Sequence, residues 1–205
     1  MTGDLGLFPL GTVVVPGEQM PLHVFEPRYR ELVGESVEQG IPFGIILTDD
    51  EGLREVGTVV RVAEVVERFE DGRLVVIVEG VERFRLLSLT EGRSFQTGEV
   101  EPITDDAAPA EEAARTQALE LFEELRDAVG AEVDLPDGDD PELSFAIASR
   151  IEIDVRTKQL LLESRSERER VDLLAGHLRN ASAQLALVRA HSAVARRNGN
   201  LRSEP

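Results

Sequence analysis

Cysteine and tryptophan are absent from this chain of 205 residues, and tyrosine and lysine each occur once, as Tyr29 and Lys158. Without cysteine there is no disulfide framework, no thiolate metal site and no cysteine nucleophile. No apolar run approaches the ~20 residues that span a bilayer. The opening Met-Thr-Gly-Asp lacks a basic region followed by an apolar stretch, so no signal peptide is visible. These absences lead to the expectation of a cytoplasmic protein with no membrane partner. Basic residues are also scarce. The net charge is −18, with 18 acids against 9 bases in residues 1–100 and 22 against 13 in 101–205. Binding to nucleic acid depends on Lys and Arg to neutralise phosphates, and this chain would on average repel a duplex. Only the last residues, Arg189, Arg196, Arg197 and Arg202, suggest a local basic patch.

Catalytic and metal signatures are missing too. The histidines His23, His177 and His191 are isolated from one another, and no His-Glu-x-x-His occurs. There is no phosphate-cradling Gly-x-x-x-x-Gly-Lys loop and no Gly-x-Ser-x-Gly elbow. Lys158, the only lysine a Ser-Lys dyad could use, reads as a solvated side chain on a polar helical turn. His23 and Glu26 are the one acid–base pair close in sequence, and a small hydrolase built on them is an alternative reading. The reading otherwise expects no enzyme, no metal and no cofactor.

What is present is concentrated in residues 7–30. Pro9, Pro16, Pro21 and Pro27, with Gly11 and Gly17, keep most of this stretch out of helix. Pro27 suits a first helical position, Tyr29, Leu32, Val33, Ser36 and Val37 recur at helical spacing, and Gly40 supplies a stop. The apolar run at 41–48 predicts a strand buried on both faces. Residues 56–69 predict strand with a bulge or break at Val65-Val66, Asp71-Gly72 a hairpin turn, and Leu74–Val78 a second buried strand. Glu79-Gly80 reads as a bend or close backbone approach. Further strands are expected around Phe84 and Phe95. Five or six strands with one inserted helix suggest a small, partly closed barrel.

Strand signals stop at residues 101–113. Ala114, Ala118, Leu121, Phe122, Leu125 and Val129 then follow helical spacing, with Gly130 as stop. Asp140-Pro141 predicts the start of a helix carrying Leu143, Ala146, Ile147 and Ile151, and Asp154 predicts the cap of another. Ser166-x-x-Glu169 is a capping box opening a last helix of about 30 residues. Its apolar positions run from Val171 to Ala195, and Asn198-Gly199 is the expected end. The reading therefore expects an α+β chain: a barrel at 1–103, a helical bundle at 104–198 and a flexible tail at 199–205. The long helix is a candidate surface for homodimerisation.

The segments Leu7-Phe8-Pro9-Leu10, Pro16-Gly17 and Pro21-Leu22-His23-Val24-Phe25-Glu26-Pro27-Arg28-Tyr29 resemble the LON substrate-binding domain, the N-terminal domain of the Lon protease family. Phe43-Gly44, Gly57-Thr58, Asp71-Gly72, Val78–Phe84 and Leu143–Ala148 are similar as well. The resemblance covers roughly residues 5–190 and implies a PUA-like β-pseudobarrel followed by a helical bundle. It also implies recognition of unfolded or extended polypeptide in protein quality control, with a protease or chaperone as a further partner. No ATPase or Ser-Lys peptidase segment lies within these residues, so peptidase activity is not carried over. Met20, Leu22, Phe25 and Tyr29 are the candidate pocket, with His23 and Arg28 orienting the peptide. Phe25, directly before the Glu26-Pro27 helix start, is expected to turn its ring inward and anchor the loop to the barrel, and Tyr29 to keep its hydroxyl in reach of water or a partner. An RNA-binding role, open to PUA-like barrels, is a further alternative that the charge disfavours.

Overall fold

The computed structural model describes residues 3–106 and 108–200, with side chains over 4–106 and 108–189. Six strands come first: β1 (Gly3–Leu10), β2 (Gln19–Val24), β3 (Phe43–Asp49), β4 (Gly52–Arg68), β5 (Leu74–Thr90) and β6 (Thr97–Pro102). Helix α1 (Pro27–Gln39) lies between β2 and β3. The helical part is α2 (Glu112–Val129), α3 (Leu143–Ala148), α4 (Val155–Glu163) and α5 (Glu167–Asn200). The α+β expectation, a pseudobarrel with one inserted helix followed by helices, holds.

The sheet order is β2-β5-β4-β3-β1-β6, and β6 pairs back onto β5. Five strands therefore close a barrel and β2 hangs on its outside. Closure is possible because β5 is a single strand of 17 residues. Its first half pairs with β2 and its second half with β6. Glu79-Gly80, read from sequence as a bend before a further strand, is instead the middle of this strand. Likewise β4 is one strand of 17 residues whose irregularity is absorbed by register shifts at Val59/Val60, Val62/Glu64 and Val65/Glu67. Bulges let a long strand twist sharply while staying paired.

Gly80 shows the close approach the sequence suggested. Gly17 donates to its carbonyl at 2.9 Å and its own N–H reaches Glu18 O at 2.9 Å. A Cβ at Gly80 would lie 2.3 Å from the Val15 carbonyl oxygen. Opposite it, Val15-Pro16-Gly17-Glu18 forms a turn closed by Glu18 N to Val15 O at 3.1 Å, with Gly17 at φ 77. Proline second and a left-handed glycine third are what a type II turn requires.

Leu7, Ile46, Val59, Phe84 and Val100 form a small cluster drawn from the five strands that close the barrel. A larger core joins barrel strands to β2 and α1, with Phe8, Leu22, Val24, Tyr29, Leu32, Val33, Phe43, Val60 and Val76 among others. The helices enclose a third, which includes Val13, Val15, Leu47 and Val56 from the barrel side. The helix ends follow their sequence cues in part. Asp154 accepts from Thr157 N at 3.0 Å as expected of a cap. Asp140 caps only a turn, accepting from Glu142 N at 2.8 Å, and α3 begins at Leu143. Half of the capping box forms, with Glu169 N on Ser166 Oγ at 3.3 Å; the Glu169 carboxylate is taken by Ser164 Oγ at 2.8 Å. Helix α5 runs through Asn198-Gly199 to Asn200. Residues 201–205 of the expected tail, and the side chains of His191, Arg196, Arg197 and Arg202, lie outside the described residues.

A buried ionic network ties helices to barrel. Arg83 of β5 donates to Leu162 O at 2.8 Å, Ser164 O at 2.6 Å and the Asp105 carboxylate. The fully buried Arg170 of α5 binds the same carboxylate, Glu167 Oε2 at 2.7 Å and Ser144 Oγ at 2.9 Å. Both guanidinium groups lie over the Phe145 ring, 5.2 and 4.5 Å from its centroid. Lys158 is not solvated: it is 8% exposed and ion-paired with Glu18. A helical turn that looks polar in sequence here faces the barrel, and Gln159 beside it donates to Val56 O at 3.2 Å.

Candidate functional site

Strand β2 has a strand neighbour on one side only, so its other edge is open. Its side chains alternate, with Leu22 and Val24 buried, Met20 half-buried and packed on the barrel core, and Gln19, Pro21 and His23 exposed. The register extends this outer face across three strands. Gln19 lies opposite Glu79, which lies opposite Arg61; Pro21 opposite Ile77 and Glu64; His23 opposite Val75 and Glu67. Val75 and Ile77 are half-exposed, so Leu74–Val78 is buried on one face rather than two. The outer face thus carries an apolar strip, Pro21, Ile77 and Val75, between charged margins.

Phe25 continues the outward alternation and is 65% exposed, contrary to the expectation that its ring anchors the loop. The reason is local. A residue two before the first helical position folds inward when an apolar residue at the fourth helical position receives it; here that residue is Arg30. Arg30 instead reaches the hairpin and donates to the Asp71 carbonyl. Tyr29 shows the opposite reversal. It was expected to offer its hydroxyl to water or a partner, yet it is 6% exposed. Its ring stacks on Phe8 with centroids 4.0 Å apart, and the Arg28 guanidinium lies 4.5 Å above it. Burial pushes its phenol pKa up; Arg28 pulls the other way and Glu26 adds to the rise.

Of the six residues singled out from sequence, His23, Phe25 and Arg28 are therefore on the surface, while Leu22 and Tyr29 form core and Met20 borders it. Glu26 accepts from Arg28 Nε at 2.9 Å, and no hydrogen bond joins it to His23 among the described residues. Sequence reasoning missed Pro21, Val75 and Ile77. The alternation at 19–25 was the available signal, and the Val-rich run at 74–78 concealed its continuation.

The edge itself is blunted. Counting the ladder's alternation from the Gly80–Glu18 bond puts Gln19, Pro21 and His23 at positions whose backbone groups point away from β5. Pro21 then has no N–H to offer an incoming strand. At the Gln19 end the face runs into a cleft of about 410 Å3 between barrel and helices, lined by Pro16, Gly17, Val81, Glu142, Phe145 and Ser149 among others. A separate cavity of about 290 Å3 lies between α2 and α5, with Phe122, Leu125, Val129, Ile151 and Ala181 in its wall. None of the sequence-derived candidates lines it.

Residues 4–180 match the profile of the ATP-dependent protease La (LON) substrate-binding domain. The chain belongs to the LON substrate-binding domain family. A Lon protease of Paraburkholderia phytofirmans is 32% identical over 176 residues, which is 78% of this chain and 22% of that protein. A Lon protease of Anaeromyxobacter dehalogenans is 24% identical over 188 residues, 83% of this chain and 22% of that one. The chain spans about a fifth of the length of these curated relatives. Among solved structures, a Lon N-terminal domain protein from Xanthomonas campestris superposes with TM-score 0.62 at 28% identity, covering 85% of this chain and 98% of that one. The N-terminal domain of Mycobacterium avium complex Lon protease gives TM-score 0.69 at 17% identity, covering 86% and 98%. No described helix is long and apolar enough to cross a membrane.

Proposed function

We propose that this chain is a non-catalytic module that holds extended polypeptide on the outer face of β2, β5 and β4, in the service of protein quality control. The observation that carries the reading is the unpartnered apolar strip of Pro21, Ile77 and Val75, ending at the exposed Phe25 ring. Family membership supports polypeptide as the ligand, and the solved Lon N-terminal domains share the fold. Because Pro21 interrupts the open edge, binding draws on side-chain contact with the strip, with backbone bonds at Gln19 and His23 adding to it. A nucleic-acid ligand is disfavoured because Glu64, Glu67 and Glu79 line the same face.

The test is fluorescence anisotropy with a labelled unfolded polypeptide, alongside assays for ATP hydrolysis and casein cleavage. Expected are binding, no turnover, and a loss of about tenfold or more in affinity for Phe25→Ser, as for an exposed aromatic anchor. Unchanged affinity in Phe25→Ser at unchanged melting temperature overturns the reading. So does turnover that survives repurification.

A further inference from the structure

The outer face has two unlike ends. One is the Phe25 ring. The other is the cleft where the Pro16-Gly17 turn, the Glu79–Val81 stretch of β5 and the start of α3 meet. Apolar surface continues into the cleft through Val81, which is 49% exposed, and Ala146. Its charged groups are Arg61, Glu79, Asp140, Glu142 and Arg150. Arg61 and Glu79 neutralise each other, with Arg61 Nη2 bound to both Glu79 oxygens at 3.1 and 3.0 Å. Arg150 turns onto its own segment, donating to Ala146 O and Ser149 Oγ. The Asp140 carboxylate accepts from Glu142 N. The Glu142 carboxylate makes no hydrogen bond or ion pair with any described residue.

Resting on the reading above, we infer that the polypeptide this face selects is an extended segment with an apolar side chain at the Phe25 end and a lysine or arginine at the cleft end, received by Glu142. Charge complementarity supports it: Glu64 and Glu67 flank the apolar strip, and outside the Arg61–Glu79 pair the cleft holds two carboxylates, Asp140 and Glu142, against the Arg150 guanidinium. Desolvation, with repulsion from Asp105 and Asp140, raises the Glu142 pKa against the pull of Arg170 and Arg83; an incoming cation adds to that pull. The distance between the ends sets the spacing. The six residues of β2 lie between them, and at ~3.3 Å per residue they span roughly 20 Å. An extended ligand then places its basic residue about six to eight positions from its apolar one.

The experiment uses the full chain and labelled synthetic peptides of Ser, Thr and Gly carrying one Leu and one Arg. The spacing is either about seven residues or two, in both chain directions, with Arg→Glu and Arg→Ser versions of each. Expected for the wild type is at least about tenfold tighter binding of the long-spaced Leu–Arg peptide, in one chain direction, than of its Glu version. In Glu142→Gln this preference falls to about twofold or less, while the Ser version binds as before. Equal binding of the Arg and Glu versions overturns the inference, as does a preference that persists in Glu142→Gln or does not depend on spacing. Binding of the Ser version that is lost in Phe25→Ser, without any charge preference, overturns this inference alone and leaves the polypeptide-binding reading standing. Sedimentation closes the remaining route. A dimer that Phe25→Ser abolishes and that excludes peptide makes the face a self-association surface and overturns both.

Discussion

Phe8 and Tyr29 stack nearly parallel, 17° between planes and 4.0 Å between centroids, and this contact fastens α1 to the first strand of the barrel. Such a pair contributes ~0.5–1.5 kcal/mol beyond the area it buries. Four residues earlier the only other aromatic of this segment, Phe25, faces solvent. Two rings so close in sequence thus serve different ends.

Tyr29→Ala should cost about 3–5 kcal/mol of folding stability, as truncation of a buried aromatic does. Phe25→Ala should cost about 0.5 kcal/mol or less, as surface changes do. Chemical denaturation of both variants checks this. Comparable losses in the two would place Phe25 in the core after all.

The Arg83–Asp105–Arg170 network makes a prediction about pH. Asp105 is partly buried, which by itself raises its pKa, but hydrogen bonds and charge from Arg170 and then Arg83 outweigh burial and hold it below the ordinary carboxylate range. A carboxylate depressed in the folded state stabilises above its unfolded pKa of ~3.9 and loses that contribution as pH falls through the lower folded value. The melting temperature of wild type should therefore exceed that of Asp105→Asn at pH 7, and the gap should begin to narrow below about pH 4 and shrink further as pH falls. Arg170→Ala, which strands the Glu167 carboxylate beside an apolar core and leaves Asp105 with Arg83 alone, should cost about 3–5 kcal/mol at neutral pH. A gap that stays constant to pH 2 would show that Asp105 acts through packing alone.

Lys158 offers a test of buried pairing in a chain with one lysine. Its ammonium is held between α4 and the turn preceding β2 by Glu18, whose other oxygen accepts from Val15 N at 3.0 Å. Amine-reactive labelling of native protein should modify the N-terminus and spare Lys158; the unfolded chain should take up both labels. Glu18→Gln should expose Lys158 to reagent. Rapid native labelling of Lys158 in the wild type would contradict its burial.

Local signals were enough to place most elements. Pro27 and Gly40 bound α1, Gly130 ends α2, and Asp154 caps α4, because each of these residues acts on the backbone within one turn. Alternation and apolar runs likewise determined the α+β order. The composition by itself removed disulfide and thiolate chemistry. What depended on partners distant in sequence was left to the tertiary structure. Whether Glu79-Gly80 ends a strand depends on β2 and β4 arriving on its two sides, which make β5 continuous. Whether Lys158 meets water depends on Glu18, 140 residues away. The outward face of β2 was legible from its alternation, but the strip it completes with Val75 and Ile77 exists only because the register aligns three strands. Burial is a property of the surface an element is packed against, and for Phe25, Tyr29 and Lys158 that surface comes from elsewhere in the chain.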